Sequence, residues 1–195
     1  MAGSASSVSI SQIKTQVRGI ILNFINNINN PNDFLYNEFA LQFEIGYELR
    51  RHGFKVYFEK NVTAYSNCST LKKEIDILVE EGDVRFAIEV KNPKNGQYPM
   101  QMKSFIKDIA FIEELVQYKI VDFGFTLTVV DDPLFYSNKG TKGQNLKLTQ
   151  PYNYFRGSAP IDNSNSYFSI NGQYQVNWIP MRSLNNLWRY YFIAI

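Results

Sequence analysis

The stretch KKEIDILVEEGDVRFAIEVKNPK, Lys72 to Lys94, decides the fold. It reads as a half-buried hairpin of two short strands around an acidic turn, with Glu81-Gly82 as the turn. Strand side chains alternate faces, so Glu74 and Asp76 share one face, and Ala87, Glu89 and Lys91 share one. A two-residue loop at Glu81-Gly82 pairs Glu80 with Asp83, Asp76 with Ala87 and Glu74 with Glu89. That register points the acids and Lys91 to the same side. It sets Asp76 diagonal to Glu89, at about 6–8 Å between backbones. Two carboxylates so close repel without a cation. A hard divalent ion such as Mg²⁺ removes that cost and asks for few protein oxygens; Asp76, Glu89 and one backbone carbonyl suffice. Lys91, on the same face, is suited to orient an attacking water or offset charge growing on a phosphorane.

Outward from the hairpin, the chain alternates helical and strand patterns. Ile13, Val17, Ile20, Ile21, Phe24 and Ile28 follow a Ser cap at helical spacing. NNINNPND breaks that helix around Pro31. A second helix is predicted from about Phe34 to His52, ending at Gly53. On it Glu38 lies within about 60° of Leu41, Ile45 and Leu49, inside an apolar stripe where a lone carboxylate needs a partner. Glu44 and Glu48 fall off the stripe. FKVYFEKNV reads as a strand, and a third helix is predicted from about Met100 to Lys119. There Gln101 aligns with Phe105 and Ile112, facing its amide inward toward Lys91 or a phosphate. VDFGFTLTVV reads as a strand buried on both faces. Asn171-Gly172 predicts a type I′ hairpin turn, and SLNNLWRYYFIAI fits either helix or strand. The order gives an α/β protein: a mixed sheet flanked by helices, then a β-rich C-terminal part.

Composition bounds the rest. The chain has 195 residues, 45% of them hydrophobic and 15% aromatic, enough for one compact domain with a core. We expect a flexible tail over 1–8 and a single domain over 9–195, with its nucleus at about 34–130 and an elaboration at about 131–195. The net charge of +2 announces no global cationic field, so any nucleic-acid surface is local. Lys139, Lys142, Lys147 and Arg156, with Tyr136, Tyr152 and Tyr154, mix cations and rings in loop-like sequence. That mixture suits phosphate contacts and base stacking, or simply a solvated edge. One cysteine, Cys68, allows no intrachain disulfide and points to a reducing, cytoplasmic setting. No apolar run spans a membrane, and MAGSASS lacks a secretory pattern. A single histidine, His52, and the absence of cysteine clusters argue against His-based nucleases and zinc sites.

Glu38 on a helix, Asp76 in EID, twelve intervening residues, Glu89-Val90-Lys91, and a helix opening with Gln101 together resemble the PD-(D/E)XK nuclease superfamily. The resemblance covers about Phe34 to Val130; Ile75 stands where the motif has Pro. It implies a restriction-endonuclease-like α/β fold and Mg²⁺-dependent cleavage of DNA, with Mn²⁺ able to substitute. It makes Asp76 and Glu89 metal ligands, the Val90 carbonyl a third, Lys91 the catalytic lysine and Glu38 the helix acid. A restriction enzyme or another defence nuclease is the expected role, and a homodimer would bring the two sites that duplex cleavage needs. The alternative is a catalytically inactive nuclease-fold module for DNA binding or assembly. A third class, an unrelated α/β interaction protein, would leave Glu38 and the acidic hairpin face in open solvent.

Overall fold

The computed structural model describes residues 9–65, 70–94, 98–136, 153–154, 157–160, 167–172, 174–185 and 187–195. Helix α1 spans Ile10–Asn27, and Ser9 caps it through a reciprocal capping box with Gln12. Its inward residues Ile13, Val17, Ile20, Ile21 and Ile25 are buried. Pro31 then opens a single turn, α2, Pro31–Phe34, capped by Asn30. Helix α3 spans Glu38–Arg51, so the helix expected from about Phe34 begins four residues later, after a short turn at Pro31–Phe34. The break has a local cause: the Asn37 side chain accepts from the Ala40 N–H and restarts the helix, placing Glu38 in its first turn. The far end closes as expected at Gly53, whose φ of +92° favours glycine.

Strands β1, Lys55–Asn61, β2, Glu74–Glu81, and β3, Val84–Lys91, follow. Helix α4 spans Tyr98–Gln117, and strand β4, Phe123–Val130, is buried at every position. Short strands come next: β5 Asn153–Tyr154, β6 Gly157–Pro160, β7 Tyr167–Ile170, β8 Tyr174–Gln175 and β9 Ile179–Pro180. The ambiguous C-terminal segment is a strand, β10, Arg189–Ala194. Its apolar run pairs antiparallel with β4 and is buried from Tyr190 to Ile193.

The main sheet has six strands in the order β1-β2-β3-β4-β10-β9. It is mixed: β3 and β4 are parallel and joined through α4, while β1–β2, β2–β3, β4–β10 and β10–β9 pair antiparallel. This is an α/β protein with its sheet flanked by helices. One face packs on α1 and α3, where Val17, Ile21, Leu41 and Ile45 meet Ile77, Val79, Phe86, Ile88 and Phe125. The other face packs on α4, where Phe111 and Leu115 meet Leu78 and Ala87. Each valine, leucine, isoleucine or phenylalanine among them contributes about 1.5–3 kcal/mol by leaving water. Because both faces are covered, the β2–β3 hairpin is central rather than half-buried.

Two expected registers differ. The hairpin turns at Gly82-Asp83, not Glu81-Gly82, and pairs Glu81 with Val84, Glu80 with Arg85 and Ile77 with Ile88. Gly82 has a φ of +59°, the conformation that a tight hairpin turn demands of its first central residue. The shift by one at the turn carries Asp76 opposite Glu89 instead of diagonal to it. Among the described residues the two strands flanking Asn171-Gly172 do not pair with each other as expected: β7 pairs with β6, and β8 pairs with β5. The backbone N–H groups of Asn171 and Gly172 donate instead to the Glu113 carboxylate on α4, 2.7 and 2.6 Å away. The basic segment with Lys139, Lys142 and Lys147, together with Tyr152, Arg156 and Cys68, lies outside the described residues.

Candidate functional site

The β2–β3 ladder runs only as far as Ile77 opposite Ile88. Beyond that pair each strand keeps its outer neighbour: β2 stays with β1 to Glu74, and β3 stays with β4 to Lys91. Two side chains occupy the fork. The Asp76 N–H donates to Glu89 Oε1 at 3.2 Å, and the Val90 N–H donates to Asp76 Oδ2 at 2.9 Å. The carboxylates thus satisfy buried backbone donors that the interrupted ladder leaves without a strand partner. Asp76 and Glu89 are only 6% and 1% exposed, so they are interior groups rather than a solvated strand face.

A third buried acid joins them. Asp108 of α4, 3% exposed, faces the same fork. The Lys72 ammonium stands among the three: it donates to Glu89 Oε2, to Asp108 Oδ1 at 3.2 Å and to Asp76 Oδ1 at 3.4 Å. Lys91 forms the second cationic centre. Its Nζ lies 3.1 Å from Glu38 Oε1, 3.5 Å from Asp108 Oδ2 and 3.8 Å from Asp76 Oδ2, and it donates to the Val90 carbonyl at 3.0 Å. Glu38 arrives because Asn92 ties the end of β3 to the start of α3. The Asn92 side-chain amide donates to the Leu35 and Asn37 carbonyls, and its backbone N–H reaches Glu38 Oε2 at 3.4 Å.

Of the residues expected from sequence, Glu38, Asp76, Glu89, the Val90 carbonyl and Lys91 are brought together. Gln101 is half-buried on α4, two turns before Asp108, and the group that α4 gives the cluster is Asp108. Two members were missed. Asp108 carries the same signal that singled out Glu38, an acid within an apolar helical stripe: Phe105, Phe111, Ile112 and Leu115 lie three or four residues, or two turns, away. Lys72 has no such signal, because it precedes β2 in irregular chain.

Burial sets the electrostatics. It pushes the Glu89 carboxyl well above the ordinary range, with Asp76 adding to the rise and Lys72 opposing it. It also raises Asp108, against the pull of Lys91 and Lys72. For Lys72 burial works against the charge, but Glu89, Asp108 and Asp76 together hold its pKa above the ordinary lysine value. Lys91 is raised as well, burial being outweighed by Asp108, Asp76 and Glu38. Both amines are therefore ammonium ions at neutral pH.

Known protein families, curated proteins and solved structures contain no match to this chain. Its chemistry is read from the cluster alone.

Four acids against two ammonium groups give a formal charge of −4 + 2 = −2. Beside the fork the buried hydroxyl of Thr126, register-paired with Glu89, makes no hydrogen bond, and Asp108 Oδ2 has only the Lys91 ammonium at 3.5 Å. An acidic excess, all-oxygen donors and a buried hydroxyl without a partner fit a hard divalent cation. Among the described residues, no group of three or more His, Cys, Asp or Glu side chains is arranged to enclose a metal ion. The reason is visible in the contacts: the ammonium of Lys72 stands between Asp76, Glu89 and Asp108, and Glu38 is turned to Lys91 and Asn92.

Proposed function

We propose that this protein is a Mg²⁺-dependent DNA endonuclease with a restriction-endonuclease-like core, a restriction enzyme or another defence nuclease. One observation carries the reading: a helix-borne acid, two facing strand acids and a lysine, separated by up to 53 positions in the chain, converge at one fork in the sheet. Asp76 and Glu89 are the residues that would hold Mg²⁺ or Mn²⁺, with Asp108 beside them, while Glu38 and the Val90 carbonyl, the other two expected ligands, are engaged by Lys91. When bound, the ion supplies neutralisation of the phosphate's charge and acidification of water.

The protein's own groups do the rest. Lys91 donates a hydrogen bond that orients the attacking water, and its positive charge offsets the negative charge that grows on the non-bridging phosphoryl oxygens as the water oxygen bonds to phosphorus, gives up its proton to solvent, and the bond to the leaving ester oxygen breaks, that oxygen taking a proton from solvent. Val90 N–H fixes Asp76, and Asp76 N–H fixes Glu89, so neither carboxylate has to be ordered when substrate binds. Gln101 takes the role of a phosphate-positioning residue. Duplex cleavage by one such core per chain calls for a homodimer. The described residues contain no helix long and apolar enough to cross a membrane; a reducing cytoplasm is the setting we propose.

The test is cleavage of plasmid and of single-stranded DNA or RNA in Mg²⁺ and in Mn²⁺. Cleavage by the parent is expected, with loss of at least about 10²-fold in Asp76→Asn and Lys91→Ala, the scale of one transition-state contact. A parent that cuts nothing, or variants that cut equally well, would end the proposal. The seating of Lys72 among three carboxylates favours one second reading: a nuclease-fold module that binds DNA without cutting it, its site closed by an internal cation. Calorimetry showing DNA affinity with no Mn²⁺ binding would select it.

A further inference from the structure

We propose that Lys72 is a resident counter-ion that a divalent cation must displace from the fork, so that the metal and the Lys72 ammonium occupy the Asp76–Glu89–Asp108 oxygens alternately. The inference rests on the nuclease reading and adds to it a residue that sets how tightly the metal is held.

The contacts define the exchange. The three carboxylates that Lys72 touches come from β2, β3 and α4, and each is more than nine-tenths buried. Lys72 itself is the accessible member, its side chain 20% exposed. Its backbone neighbour is anchored: the Leu71 N–H donates to Glu114 Oε2 on α4 at 2.8 Å, and the Thr70 hydroxyl donates to the Lys72 carbonyl. The main chain is therefore held while a flexible four-carbon stem carries the ammonium, which can swing out without any strand moving. Lys91 is less free, since it is held by Glu38 and the Val90 carbonyl at the other side of the fork.

Shared oxygens and size make the two occupants exclusive. With both lysines in place the cluster carries −2 by formal count. A divalent ion in place of the Lys72 ammonium gives −4 + 1 + 2 = −1 and one added beside it gives 0, so net charge admits the metal and the competition is for the same oxygens. Both together would stand about 3–4 Å apart on shared oxygens, and like charges at that distance in a poorly hydrated interior repel strongly. A metal ion also draws its oxygens to about 2.0–2.1 Å, closer than an ammonium does. The Thr126 hydroxyl, which makes no hydrogen bond, and Asp108 Oδ2, which meets only Lys91, provide buried oxygen capacity that the Lys72 ammonium does not use.

Two measurements test the exchange. Calorimetry with Mn²⁺ is run on the parent and on Lys72→Met, which keeps the stem and removes the charge. The variant is expected to bind at least about tenfold more tightly. Equal or weaker binding by the variant, with the parent binding, overturns the exchange and leaves the nuclease reading standing. No binding by either protein overturns both. Should Lys72→Met fail to fold, the parent alone decides, through acylation of surface amines read by mass spectrometry. Lys72 is expected to be protected without Mn²⁺ and labelled several-fold faster with it, while Lys91 stays protected. Unchanged Lys72 labelling under Mn²⁺ concentrations that calorimetry shows to be saturating overturns the proposal.

Discussion

The two ends of the β2–β3 hairpin use the same residue types to opposite effect. At the turn end Glu80 meets Lys55 at 3.1 Å and Arg85 at 3.8 Å, and the Tyr57 hydroxyl donates to it. Lys55 is 68% exposed there. At the forked end Glu89 meets Lys72 with its own side chain fully covered. Both are lysine–glutamate pairs whose glutamates lie on one strand pair, with the lysines brought from β1 and from the stretch before β2. The first sits at a sheet edge in water, where attraction is screened and the ordering of long side chains cancels much of it. The second lies under α4, where the carboxylates also replace missing ladder bonds. Charge alone does not mark a site; what separates these ends is whether the backbone pairing continues beneath the charges.

The sharpest way to break that contrast is to remove the lysine from each end. Lys72→Met leaves three buried carboxylates short of a partner and should destabilise the metal-free protein by about 3–5 kcal/mol. Lys55→Met should leave the unfolding midpoint where it was. Urea denaturation with matched slopes reads both changes. Similar midpoints for the two variants would mean that the fork is no more demanding than the turn.

A smaller effect is expected at the contact that brings α4 to the fork. A Cβ on Gly124 would lie 2.5 Å from Ile112 Cγ2 and 2.9 Å from the Ala87 carbonyl oxygen, so the helix packs directly on bare β4 backbone. Gly124→Ala should cost about 1–3 kcal/mol through overpacking. It should also weaken Mn²⁺ binding, because Asp108 rides on the displaced helix. An alanine variant with unchanged stability and unchanged metal binding would show that α4 is free to adjust, and that the forked end does not depend on it.

The sequence made the forked end legible in part. Alternation fixed which hairpin residues share a face, and helical periodicity flagged Glu38, because both are local rules. Asp108 obeys the same periodicity, seven residues after Gln101 on the same face of α4, so the signal for it is present in the sequence. Lys72 was out of reach, since nothing local states that an irregular stretch will fold its amine onto three acids. The sheet's later strands were obscure for a related reason. Whether Trp188 to Ile193 is helix or strand depends on β4, about sixty residues away, supplying an open edge. The one-residue error in the turn arose because Gly82 fits either central position, and only the pairing of Glu81 with Val84 tells which.

The finest distinction between the two ends is the sign of their response to pH. Burial holds the Glu89 carboxyl above its ordinary value. Its folded form then binds a proton more tightly than the unfolded chain, whose value is about 4.3. Its contribution to stability is present below that pH and is lost as pH rises through the raised value. Glu80 behaves oppositely: burial pushes its carboxyl up, but hydrogen bonds from Lys55 and Tyr57 outweigh that and hold it below the ordinary range. Its contribution is present above about pH 4.3 and is lost as pH falls through the lowered value. Glu89→Gln and Glu80→Gln remove one titration each. Between about pH 3 and about pH 8, the parent should lose stability relative to Glu89→Gln as pH rises, and gain it relative to Glu80→Gln. Slopes of the same sign would show that the Glu89 carboxylate is hydrated like the one at the turn, and the fork would then be an open surface rather than a closed site.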